Sequence, residues 1–103
     1  MIDATAMIAS TLSSDPDMVE LVELFLSEVP ERLGTMAAAC EQENWCDLRR
    51  VAHQWKGAGG SYGYPQLSAA AARVEDACAT ACPKDEIKRR LDELVDLCGR
   101  LTV

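Results

Sequence analysis

An apolar side chain recurs every three or four residues between Met18 and Cys40, and this run limits the fold more than any other feature. Its members are Met18, Val22, Phe25, Val29, Leu33, Met36 and Cys40. Side chains at this spacing share one face of an α-helix, so the run predicts one long helix with a single buried face. Residues 13–16 supply a serine or aspartate cap and a proline for the first turn. Pro30 lies inside the run, and because the pattern continues in phase beyond it, we expect a bend and not two helices.

The same periodicity predicts three further helices, over about residues 45–62, 65–81 and 85–101. Asn44 is placed to cap the first of them, Gly63 ends it, and Pro65 opens the next after a tight turn. Apolar residues also recur within residues 2–11, where a short additional helix can form. The predicted fold is all-α: an antiparallel, up-down-up-down four-helix bundle with a possible short extra N-terminal helix, in a single domain over residues 1–103.

The charge distribution argues against a nucleic-acid-binding protein. The net charge is -7, and residues 1–48 carry ten acidic residues and one basic residue, whereas residues 49–103 carry nine basic and seven acidic residues. A local basic cluster of Arg49, Arg50 and Lys56 stands out against the acidic background. A cluster this small suits a phosphoryl group or an acidic partner pocket better than a polynucleotide.

The cysteines and the apolar runs favour a cytoplasmic protein with reduced thiols and no membrane association. No apolar run approaches the roughly 20 residues of a membrane span, and the first residues lack the basic segment of a secretory signal. Cys40, Cys78 and Cys98 fall on apolar stripes, which is typical of buried thiols. The Cys78-x-x-x-Cys82 spacing is compatible with half of a metal site, but the chain has no second pair of this kind. We therefore expect neither a metal nor a cofactor.

The second helix carries the only histidine, His53, on its outer side. The apolar stripe of this helix is made of Leu48, Val51, Ala52, Trp55, Gly59 and Tyr62, and His53 lies roughly 140° away from Leu48 at about 100° per residue. Lys56, Gly57 and Gly60 share its side. A glycine inside a helix costs roughly 1 kcal/mol relative to alanine, so two of them beside one imidazole suggest that something approaches it closely. The alternative is that these glycines mark a fraying helix end that Gly63 completes.

This region resembles a known family signature. The pattern reads Ala52-His53-x-x-Lys56-Gly57-x-x-Gly60-x-x-Gly63, followed by Leu67 and then Val74-Glu75. It is similar to the signature of histidine-containing phosphotransfer (HPt) domains, the intermediates of bacterial multistep two-component phosphorelays. The resemblance covers nearly the whole chain, because the flanking predicted helices have the expected order and lengths.

The resemblance implies a phosphoryl carrier and not an enzyme. His53 would accept a phosphoryl group from an aspartate of one receiver domain and pass it to another receiver, which supplies the metal and the acidic pocket. Lys56 would stabilise the phosphoryl charge, and Gly57 and Gly60 would leave clearance for the receiver. The implied partners are response-regulator receivers and a sensor histidine kinase, hybrid or separate. From helix geometry alone, Arg49, one turn before His53, is a further candidate contact with a partner.

Two other functions compete with this interpretation. The first is a helical module that docks receivers without being phosphorylated, for which a replaced histidine would be the expected mark. The second is a bundle that binds a metal or cofactor, but such sites usually present several His or Glu residues inward from facing helices. Nothing else in the chain completes an enzyme, because there is no phosphate-binding Gly-Lys-Ser/Thr loop and no serine beside a base.

Overall fold

A computed structural model describes residues 6–103 of the chain, and four helices account for most of them. They are α1 (Pro16–Glu41), α2 (Trp45–Ser61), α3 (Pro65–Ala79) and α4 (Lys84–Cys98). Each helix packs on the next and α1 also packs on α4, which closes the ring of an antiparallel four-helix bundle. The predicted fold class is therefore confirmed. None of the helices in residues 6–103 offers an apolar stretch long enough to cross a bilayer.

Helices α1 and α2 begin at capping residues that the sequence predicts. Asp15 accepts a hydrogen bond from the amide of Asp17 at 3.0 Å, at the start of α1. Asn44 accepts one from the amide of Asp47 at 3.3 Å, at the start of α2. Gly63 follows α2 with φ +82°, a left-handed conformation that a side chain disfavours.

Helix α1 runs without interruption through Pro30, as the phase of its apolar stripe predicts. Five of the seven stripe residues are buried and the other two are half-buried. Phe25 lies at the centre of this interface, where its ring stacks on Tyr62 with centroids 4.7 Å apart and tilts against Trp55 at 5.9 Å. The core of the bundle thus joins α1 to the inner face of the helix that carries His53.

The prediction of an N-terminal helix is wrong for the part of residues 2–11 that the structure describes. Ile8–Ala9 forms a short strand, β1, which pairs in parallel with β2, Leu101–Thr102. The amide of Ile8 donates to the carbonyl of Arg100 at 2.7 Å, and that of Ser10 donates to Thr102 at 3.2 Å. These interstrand bonds replace helical ones, so α4 ends at Cys98, three residues before the predicted boundary. We call the β1–β2 pair the terminal ladder.

The terminal ladder is fastened to the turn between α2 and α3. The Ser10 hydroxyl donates to the carbonyl of Tyr62 at 2.6 Å, and the Tyr64 hydroxyl donates to the carbonyl of Thr102 at 2.7 Å. Gly63 completes the contact, because a Cβ there would lie 2.6 Å from the Ser10 hydroxyl oxygen. Both ends of the described chain therefore stabilise the turn that follows the histidine helix.

Helices α2 and α3 are the most closely packed pair. A Cβ on Gly59 of α2 would lie 2.6 Å from the backbone nitrogen of Ser68 on α3. Ser68 in turn donates its hydroxyl to the carbonyl of Lys56 at 2.7 Å. The small residues that the sequence places on the inner face of α3, among them the buried Ala71 and Ala77, permit this approach.

The cysteines behave mainly as core residues. Cys40 and Cys98 are buried, Cys78 is half-buried, and all five thiols are free. Burial raises the pKa of Cys98 to about 12 and also raises that of Cys40 and Cys78. Such thiols stay protonated and unreactive at neutral pH.

Candidate functional site

The imidazole of His53 lies on the outer face of α2, where 67% of its side-chain surface is exposed. Its neighbours Ala52 and Trp55 point inward and are buried. This division of the helix into a buried and an exposed face is the one that the apolar stripe predicts. The histidine is therefore held on a rigid helix, open to a large partner.

A carboxylate from the neighbouring helix holds one side of the ring. Oε2 of Glu75 on α3 lies 2.6 Å from Nδ1 of His53, and its other oxygen, Oε1, accepts a hydrogen bond from Nζ of Lys56 at 3.2 Å. Only 18% of the Glu75 side chain is exposed, so the carboxylate lies beneath the two groups that it binds. One acidic residue thus joins the histidine and the lysine of the signature.

The charge of Glu75 fixes the chemistry of the ring. Burial acts to raise the pKa of this carboxyl, but the hydrogen bonds from Lys56 and His53 outweigh it and hold the pKa below its usual value. The carboxylate is therefore ionised at neutral pH and can only accept hydrogen bonds. A neutral imidazole must then carry its proton on Nδ1, which leaves the lone pair of Nε2 directed away from Glu75. The exposed nitrogen is the nucleophilic one.

The two glycines beside His53 border open space. A Cβ added to Gly57 or to Gly60 would meet no atom within 4 Å outside its own stretch of helix. Gly57 lies four residues before the end of α2, inside regular helix, so fraying does not explain it. Gly60 lies in the last turn, where the helix-end explanation still applies. No packing within residues 6–103 requires either position to be small.

The α3 side of His53 is charged. Arg49, one turn before the histidine, is exposed and makes no ion pair within the described part of the chain, whereas Arg50 pairs with Asp47 at 3.7 Å. Arg49 lines one shallow recess with Lys56 and Glu75, and a second with His53. A guanidinium in this position is available to an acidic partner that approaches the imidazole.

The α1 side of His53 combines aromatic and charged side chains. A recess of about 190 Å³ lies between α1 and α2, and both the aromatic Phe25, Trp55 and Tyr62 and the charged Glu28 and Arg32 line it. Gln54 lines both this recess and the one that contains His53. A partner that covers the histidine therefore meets charged groups on both sides, and aromatic edges as well on the α1 side.

Comparison with protein families gives one finding. The family model of the Hpt domain matches residues 20–102, which is most of the chain. The chain belongs to the Hpt domain family. A role of the phosphotransfer type in two-component signalling follows from this membership, and Hpt domains act as phosphoryl carriers and not as catalysts. Comparisons with curated proteins and with solved structures gave no match.

Within this Hpt domain, the structure brings four of the predicted site residues to one surface. His53, Lys56, Gly57 and Gly60 share the outer face of α2, and Arg49 lies one turn before the histidine on the α3 side. The sequence interpretation missed Glu75 as a member of the site, although Val74-Glu75 is part of the quoted signature. Its position one residue after the buried Val74, at the edge of the buried face of α3, was the available signal.

The cysteine pair of this Hpt domain lies at the C-terminal end of α3 and just beyond it. Cys78 is on α3, and Cys82 follows the helix, where its sulfur lies 3.3 Å from the hydroxyl of Thr80. Nowhere in residues 6–103 do three His, Cys, Asp or Glu side chains converge in a manner suited to a metal ion.

Proposed function

We propose that His53 accepts a phosphoryl group from the aspartyl phosphate of one receiver domain and passes it to the aspartate of another receiver in a phosphorelay. The observation that carries this proposal is the exposed imidazole whose Nδ1 is held by Glu75 at 2.6 Å. Nε2 attacks phosphorus, the N–P bond forms, and the P–O bond to the receiver's aspartate breaks with its electron pair on the leaving carboxylate. The second receiver reverses this displacement and regenerates neutral imidazole.

The charges around the ring support both directions of transfer. The imidazole gains positive charge when Nε2 binds phosphorus, and the adjacent Glu75 carboxylate stabilises that charge. Lys56, one turn beyond His53, offsets the negative charge of the phosphoryl group. Because its ammonium already binds Glu75 at 3.2 Å, it needs only a small movement of its flexible end to reach the phosphoryl oxygens.

The surroundings of His53 fit a receiver domain as the partner. Gly57 and Gly60 leave room for the acidic pocket that surrounds a receiver's aspartate, and the receiver supplies the metal held there. Arg49 contacts an acidic group at the rim of that pocket. A sensor histidine kinase, hybrid or separate, supplies the phosphoryl group at the start of the relay. We place the protein in the cytoplasm, since its buried free cysteines suit a reducing compartment.

The proposal is tested with a panel of receiver domains phosphorylated with labelled phosphate. The expected result is label on the wild-type chain that is stable in base and labile in acid, as phosphohistidine is, and no label on the His53→Gln variant. Circular dichroism of that variant checks that the bundle still folds. If receivers bind the chain but no label reaches it, the chain is a docking module and the proposal is refuted.

A further inference from the structure

The closest approach between α2 and α3 occurs at Gly59, and this glycine differs from the two beside His53. A Cβ built on Gly59 would lie 2.6 Å from the nitrogen, 3.0 Å from the Cα and 3.1 Å from the Cβ of Ser68. Two of these atoms belong to the backbone of a helix, so no side-chain rotation relieves the contact. Gly57 and Gly60, in contrast, face open space. Gly59 therefore sets the distance between the two helices.

This contact lies on the same interface as the functional site. Glu75 is seven residues beyond Ser68 along α3, and Ala52, next to His53, is seven residues before Gly59 along α2. Because the helices are antiparallel, the Gly59–Ser68 contact and the His53–Glu75 contact lie about two turns apart on one interface, separated by roughly 11 Å. The Ser68 hydroxyl donates to the Lys56 carbonyl at 2.7 Å and so links α3 to the part of α2 that lies between His53 and Gly59.

We infer that Gly59 is a positioning residue: its missing side chain holds α3 close enough for Glu75 to fix the proton of His53 on Nδ1. The consequence for phosphotransfer rests on the proposed function, but the consequence for the proton does not. A Cβ at position 59 needs about 3.4 Å from the Ser68 nitrogen, so α3 must move outward by roughly 0.8 Å. An equal shift at Glu75 lengthens its 2.6 Å contact with Nδ1 to about 3.4 Å, at the limit of a hydrogen bond.

The test is Gly59→Ala with Gly34→Ala as the matched control. Gly34 is also a helical glycine, but a Cβ there meets nothing within 4 Å and it lies on α1, outside the recesses around His53. Nitrogen-15 correlation spectra of the unphosphorylated protein report which ring nitrogen carries the proton. We expect the Nδ1–H form in the wild type and in Gly34→Ala, and a shift of the majority to the Nε2–H form in Gly59→Ala. If Gly59 served only the stability of the fold, Gly59→Ala would change the free energy of unfolding and leave this tautomer unchanged.

A second variant decides the matter if Gly59→Ala does not fold. Ser68→Ala removes only the 2.7 Å bond to Lys56 and should move the tautomer in the same direction to a smaller extent. Transfer from a phosphorylated receiver should fall about ten- to a hundredfold in folded Gly59→Ala, and adding Gly59→Ala to Glu75→Ala should lower it no further. An unchanged tautomer in every folded variant overturns the inference. If the tautomer changes in the variants but the wild-type chain accepts no phosphoryl group, the inference stands and the proposed function is refuted.

Discussion

Replacement of Gly57 by glutamine should make the protein more stable and less active. The position lies inside α2, and a Cβ there meets no atom within 4 Å. The change therefore gains helix propensity, up to roughly 1 kcal/mol in the free energy of unfolding, without a steric cost in the folded state. In a domain of about 100 residues this gain corresponds to an increase of roughly 4 °C in Tm, measured by thermal denaturation.

The same side chain should obstruct the receiver. Position 57 lies one turn beyond His53 on the same outer face, where the receiver's pocket has to close over the imidazole. A displacement of the reacting atoms by about 1 Å can cost on the order of a hundredfold in rate, which corresponds to about 2.7 kcal/mol in the activation free energy. We expect that loss in the initial rate of transfer from a phosphorylated receiver. Phosphorylation by acetyl phosphate should fall much less, because a small donor needs no such clearance.

The matched control for Gly57→Gln is Gly34→Gln. Gly34 is an exposed glycine within α1 whose Cβ would also meet open space, so the gain in stability should be similar. Transfer from the receiver should be unaffected in this control. If Gly57→Gln is stabilised and still accepts phosphate from the receiver at the wild-type rate, the glycine is not a docking clearance. Equal losses in both variants would mean that helix stiffness, and not local obstruction, limits the rate.

Two further outcomes follow from the charges. Lys56→Ala should slow phosphorylation of His53 or shorten the lifetime of the phosphohistidine, measured by the decay of the label, with little change in Tm; unchanged rate and lifetime would remove Lys56 from the site. On α4, a hydrogen bond from Arg89 is the largest of the effects that lower the pKa of Glu86 to about 2. Because this value is below the usual pKa of about 4.3, the pair stabilises the fold above that pH and the stabilisation is lost as the pH falls towards 2. We therefore expect the free energy of unfolding, measured in urea at pH 5 and pH 2.5, to fall less on acidification in Glu86→Gln than in Glu23→Gln. Glu23 is the control because it is an exposed carboxylate without an ion pair in the described chain. Equal losses in the two variants would contradict the assignment.

The sequence predicts the four helices well because each is encoded locally. The period of the α1 stripe, the Asn44 cap and the left-handed Gly63 each depend on residues within a few positions of one another. The single histidine is placed on the outer face by the same kind of local pattern. These features do not require knowledge of how the helices meet.

Features that depend on distant partners were not predictable in this way. Leu101 fits the apolar period of α4, yet it belongs to β2, because its partner Ile8 lies near the opposite end of the chain. The role of Glu75 depends on the register between α2 and α3, which the approach at Gly59 sets. Periodicity places a residue on a face of its own helix, but it does not say which residue of another helix lies opposite.

The direction of the terminal ladder affects how the bundle would respond to mechanical load. Since β1 and β2 run parallel, the chain enters the ladder at one end and leaves it at the other. Tension applied between residues 6 and 103 would act along the strands and load their hydrogen bonds in shear, side by side. Antiparallel strands pulled from one edge would instead open one bond at a time. A pull on this chain therefore reaches the helices only after the interstrand bonds have broken together.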